Sequence, residues 1–288
     1  MDRSLFLYLI IAAVFVTPIF LLIPTDLSPD IILVLFLLSS FAPLIAAILA
    51  LFFSDNSIGV HTFFRRLFLW RSERFWYAMA LLVPAGVWLI ALAHFPFGGG
   101  LQAATPLSIL YFPLVLIATY GSEAGLRGFV LPRLLAFLDP IPSSLLLAGL
   151  WSALYAPFFW HEPLTMALII AIGPILSITS TWLFLGTGES VPLSALFQTT
   201  FITFGLVISP VPNSALVLAT ALAGLWALFL VMRCGGCLLN IQADEQTSNA
   251  APSTALQYWE QYERPDSNGH EMYGKLAVKQ PVNLIKNP

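Results

Sequence analysis

Between Pro106 and Leu135 the chain reads PLSILYFPLVLIATYGSEAGLRGFVLPRLL, and before its terminal Arg133 the only charged residues are Glu123 and Arg127. A hydrocarbon core of about 30 Å takes about 20 helical residues, so this run is long enough to cross. It is apolar continuously instead of alternating with period two, which indicates a helix and not a barrel strand, since in lipid every backbone group must be satisfied within its segment or by a closed sheet. Comparable runs lie on either side, at 5–24, 29–53 and 75–95 before it and at 142–160, 163–186, 190–209 and 212–232 after it. Pro24, Pro29, Gly98 to Gly100, Pro140, Pro142, Pro163, Pro210 and Pro212 punctuate them, as connectors between helices should. The expected fold is all-α, a polytopic membrane protein of about eight transmembrane helices. Residues 1–105 carry helices one to three, 106–210 a core of helices four to seven, 211–240 the eighth, and 241–288 a tail.

Composition agrees. Of 288 residues, 58% are hydrophobic and 9% charged, against about a quarter charged in a soluble domain. With 12 Lys+Arg against 15 Asp+Glu there is no basic surplus for nucleic acid, so the lipid bilayer is the expected partner. The charges are uneven: 8 Lys+Arg and 9 Asp+Glu up to Asn240, then 4 and 6 in the last 48 residues. The polar tail reads as solvated and disordered. The run 5–24 lacks a small-residue cleavage site and reads as a retained span, not a signal peptide. Cys234 and Cys237 form Cys-Gly-Gly-Cys just past the last span; lipidation or a thiol pair is conceivable there, small interfacial residues being the simpler reading.

Orientation follows from the tendency of Lys and Arg to occupy short cytoplasmic loops. With the N-terminus inside, the outward connections hold Asp26 and Glu162 but no Lys or Arg, while the inward ones hold Arg65, Arg66, Arg71, Arg74, Arg133 and Arg233. Both termini are then cytoplasmic, in a plasma or inner membrane. The segment Phe63 to Trp76, four Arg among Phe and Trp, is either a topology-setting loop or an amphipathic element along the inner surface.

Glu123 and Arg127 are the ionisable pair deep in a span. Each would cost about 2.5 to 3.5 kcal/mol at a helix centre even on insertion scales, so such residues are expected to be paired and turned inward. Their i, i+4 spacing permits an ion pair. It serves equally a tie between helices and a carboxylate beside a water-filled cavity.

The stretch Gly121-Ser122-Glu123-Ala124-Gly125-Leu126-Arg127-Gly128-Phe129-Val130-Leu131-Pro132-Arg133-Leu134 resembles the first motif of the CPBP (CAAX prenyl endopeptidase and bacteriocin-processing, or Abi) intramembrane proteases, Glu-Glu-x-x-x-Arg followed by Gly, an aromatic and Pro-Arg-Leu. The resemblance extends through Trp151 to Pro157, where the family has Phe-x-x-x-His. It continues over Ser177 to Ser190, similar to its Ser-x-x-x-x-Trp-Leu-x-x-x-Thr-Gly connector, and Val191 to Ile202, where His-x-x-x-Asn belongs. It implies an intramembrane endopeptidase acting on a membrane-associated peptide or prenylated protein, with a paired glutamate and a histidine activating water.

The departures decide the expected activity. Ser122 stands for the first glutamate, Tyr155 for the histidine, Gln198 for the second histidine and Ile202 for the asparagine; Glu123 and Arg127 are retained. Acid–base groups contribute about 10²- to 10⁴-fold and an oxyanion donor about 10²- to 10³-fold, so an impaired enzyme, a pseudoprotease that binds without cutting, is the leading expectation. Ser122 and Tyr155 are then candidates for lining the cavity. The alternative is a divergent active endopeptidase with Glu123 as base and Gln198 as oxyanion donor, and a transporter using the Glu123 and Arg127 pair is weaker. The family is sometimes described as zinc-dependent, which needs about three protein ligands. His61, His94, His161 and His270 fall in loops, at span ends or in the tail, so no metal or other cofactor is expected.

Overall fold

A computed structural model describes residues 3–22, 29–53, 57–94, 111–155, 158, 163–207 and 213–233. The tail, Cys234, Cys237, His161 and His270 lie outside the described residues. Among those described there is no strand. The helices are α1 (Arg3–Leu22), α2 (Pro29–Phe52), α3 (Ser57–Leu67), α4 (Arg74–Ala93), α5 (Tyr111–Glu123), a π-helical segment (Ala124–Val130) running into α6 (Leu131–Leu135), α7 (Pro140–Tyr155), α8 (Pro163–Gly186), α9 (Val191–Val207) and α10 (Asn213–Arg233). Each apolar run of the sequence contains a helix. Five described helices are long and apolar enough to cross a membrane: Val34–Phe52, Arg74–Ala93, Tyr111–Leu135, Pro163–Gly186 and Ser214–Arg233. The chain is a helical membrane protein.

Three of the prolines that mark the breaks between apolar runs lie in first turns: Pro29 opens α2, and Pro140 and Pro163 open α7 and α8. A first-turn proline loses no helical hydrogen bond and has its φ already set. Pro142, also read as a break, lies within the first turn of α7 as well. The segment Phe63 to Trp76 is divided, since α3 stops at Leu67 and α4 begins at Arg74, with a connection between them.

The described helices pack around two apolar cores. One joins α1, α2, α3, the π segment and α6 through Tyr8, Ala46, Phe63, Phe129 and Leu131. The other joins α4, α8, α9 and α10 through Trp88, Leu183, Leu193, Phe197 and Ala219. The helix Tyr111–Leu135 lies between them, against α2 on one side and α9 on the other. In its most apolar stretch 78% is buried, against 28% to 50% in the other four spanning helices, which makes it the central helix. Gly121 and Gly125, four residues apart, form the face it turns to α2. A Cβ on Gly121 would come 3.0 Å from the Ser40 carbonyl, and one on Gly125 would overlap the backbone of Pro43. Small residues at this spacing let membrane helices approach closely.

One end of the bundle gathers the segments that the charge bias assigns to one side. Arg66 forks onto Glu189, its Nε donating to Oε2 at 2.9 Å and its Nη2 to Oε1 at 3.1 Å. Arg66 Nη1 also reaches the Gly128 carbonyl at 3.4 Å. Arg133 donates to Ser4 Oγ at 2.9 Å and lies over the Phe129 ring. Glu189 holds a left-handed backbone, φ 77°, uncommon outside glycine; the fork onto Arg66 holds the turn between α8 and α9 there. Arg66→Ala is expected to lower stability by about 1.5 to 3 kcal/mol, the range for hydrogen bonds to charged groups, read from denaturant unfolding in detergent; an unchanged midpoint would show that the fork contributes nothing.

Candidate functional site

The polar centre of the molecule is built on the π segment. The Leu131 N–H donates to the Leu126 carbonyl five residues back, so the wider turn inserts one residue into the helix, a feature frequent at functional sites. All seven residues of the segment are buried. Glu123 precedes it and Arg127 lies within it, with relative exposures of 0% and 1%. The two form the expected ion pair, Arg127 Nη1 donating to Glu123 Oε1.

The same carboxylate oxygen accepts a second hydrogen bond, from Gln198 Nε2 of α9 at 2.7 Å. Arg127 Nη2 donates to the Ser177 carbonyl at 3.1 Å and to Ser177 Oγ at 3.2 Å, and Ser177 Oγ donates to the Ser144 carbonyl of α7 at 2.7 Å. A continuous polar chain thus runs from α9 through α5 and the π segment to α8 and α7. Beside Gln198, Thr119 and Thr199 join α5 to α9, their hydroxyls 2.6 Å apart.

Ser122 and Tyr155 are buried next to this chain. Ser122 Oγ donates to the Thr119 carbonyl at 3.0 Å, and the Tyr155 hydroxyl donates to Ser40 Oγ of α2 at 3.1 Å. Ile202, one turn beyond Gln198, is half-buried and supplies no polar atom. His61 and His94 are exposed, on α3 and at the end of α4, and belong to no part of this centre.

Three buried atoms of the centre have no partner among the described residues: Glu123 Oε2, Arg127 Nε and Gln198 Oε1. Buried polar groups are normally satisfied, so these two acceptors and one donor are the exceptions at the centre. The donor set does not fit zinc. It offers one carboxylate, already ion-paired, beside amide, hydroxyl and guanidinium groups, whereas zinc takes about three ligands from His, Cys and carboxylate. The expectation of Gln198 as an oxyanion donor meets a competing geometry, because its amide N–H points at Glu123.

Sequence reasoning passed over Ser177, Ser40 and the Gly121/Gly125 face. Ser177 opens the connector segment and Gly121 and Gly125 have the small-x-x-x-small spacing, so both signals were present. Nothing in the local sequence marks Ser40. No protein-family model matches the chain, and no curated protein matches it significantly.

Proposed function

We propose that this is an eight-span protein of the plasma or inner membrane, both termini cytoplasmic, related to the CPBP intramembrane endopeptidases and catalytically impaired. It binds a membrane-associated peptide or prenylated protein at the Glu123 centre without cutting it. The observation that carries this reading is the double use of Glu123 Oε1 by Arg127 and Gln198. A general base must reach the proton it takes, and here the positions aligned with the family's catalytic groups serve the protein's own contacts: Ser122 donates to Thr119, Tyr155 to Ser40 and Gln198 to Glu123. The buried set Glu123 Oε2, Gln198 Oε1 and Arg127 Nε, two acceptors and a donor, has no partner among the described residues and would match a peptide backbone that the helices part to admit. The gathering of the N-terminal, α3, α6 and α8–α9 segments at one end supports the sidedness that the arginine bias implies.

The test is turnover and binding of a prenylated CAAX-type peptide and of a transmembrane peptide by the purified full-length protein. Saturable binding is expected, with no product beyond the spontaneous rate. Cleavage by the wild type that disappears in Glu123→Gln would establish the active-endopeptidase reading, for which the unpartnered Glu123 Oε2 is the favourable observation.

A further inference from the structure

We propose that the segment from α3 to the first turn of α4 is a binding surface for anionic phospholipid headgroups, separate from the Glu123 centre. Between Ser57 and Phe75 there are four arginines and one acid, Glu73. The eleven-residue α3 is too short to span. It buries Phe63 and Leu67 and exposes Phe64, with Phe63 packed on Gly128 of the π segment. After it, Phe68, Trp70 and Phe75 are 71%, 43% and 49% exposed. Arg71 and Arg74 are exposed among them, without an ion-pair partner among the described residues. Arginine interleaved with exposed aromatics is the composition of an interfacial element: rings enter the acyl boundary and guanidinium groups meet phosphate.

Depth follows from the neighbouring helix. Arg74 is the first residue of the 20-residue apolar helix α4, whose length at 1.5 Å per residue matches a hydrocarbon core of about 30 Å. Residues 71–75 therefore stand at the headgroup boundary. Arg74 gains nothing from its own helix, because the N-terminal end of the macrodipole is positive, and an external anion suits it better.

The surface is also built, not a loose loop. Three successive carbonyl contacts from different helices hold the connecting backbone: the Tyr120 hydroxyl of α5 donates to the Leu67 carbonyl, Ser190 Oγ at the start of α9 to the Leu69 carbonyl at 2.6 Å, and the Tyr77 hydroxyl of α4 to the Trp70 carbonyl. Arg66 is already committed to Glu189 and belongs to this scaffold. Arg71 and Arg74 are thus displayed on fixed backbone, which lowers the entropic cost of capturing a headgroup.

The experiment is native mass spectrometry of the detergent-purified full-length protein titrated with phosphatidylglycerol and with phosphatidylcholine. Wild type is expected to retain phosphatidylglycerol in preference to phosphatidylcholine, with the preference falling at high salt as surface charge is screened. Arg71→Gln/Arg74→Gln should weaken phosphatidylglycerol by about five-fold for each arginine removed, on a scale of about 1 kcal/mol per basic residue at a membrane surface, and leave phosphatidylcholine unchanged. Equal retention of the two lipids by wild type, or an undiminished preference in the double variant, would overturn the proposal. The wild-type comparison and its salt dependence stand without any variant, and neither measures peptide binding or turnover.

Discussion

Arg127→Ala is expected to cost about 3 to 5 kcal/mol, the loss typical of breaking a buried ion pair from one side, and to remove most of the folded protein from a detergent extract. The loss is large because Glu123 is fully buried and would keep only Gln198 as a partner, while Ser177 would lose the guanidinium that its carbonyl and hydroxyl now receive. Glu123→Gln/Arg127→Gln together should recover about half of the deficit, since two neutral amides in contact cost less than one unpaired buried charge. Yield of monodisperse protein on size exclusion, with unfolding midpoints for each variant, measures this. A double variant no better than Arg127→Ala would mean that the arginine acts through Ser177 and α8, not through the carboxylate.

The second large effect concerns the close approach of helices. Gly125→Ala should destabilise the protein by about 2 to 3 kcal/mol, at the upper end for overpacking, because the added Cβ would overlap the Pro43 backbone and a helix backbone cannot step aside as a flexible side chain can. Gly149→Ala on α7 is the control: a Cβ there meets nothing within 4 Å, and alanine favours the helix by about 1 kcal/mol. Unfolding midpoints of the two variants should therefore move in opposite directions. If Gly125→Ala unfolds with the wild type, the α2 contact does not set the position of the π segment.

Much of the architecture was readable before any coordinates. The run quoted from Pro106 to Leu135, and its counterparts, announce helices because the bilayer judges each segment separately: length, apolarity and self-satisfied backbone are local properties. The Glu123 and Arg127 pair was legible for the same reason, both partners lying one turn apart on a single helix. The prolines at 29, 140 and 163 marked helix starts for an equally local reason, since a first-turn proline loses no helical hydrogen bond.

What the pair does was not legible. Gln198 lies 75 residues away from Glu123 and Ser177 lies 50 from Arg127; both stand in segments that the resemblance singles out, but that each hydrogen-bonds the pair is decided only when α9 and α8 are packed against α5. The π turn that sets Arg127 among those partners also has no local signature, although Gly125 and Gly128 permit it. By itself, then, the sequence determined a helical membrane protein with one buried charged pair, through hydropathy and spacing that act within single segments. The tertiary structure alone decided that this pair is woven into a polar chain joining the central helix to α9, α8 and α7, because hydrogen-bond partners across helices depend on where whole helices cross.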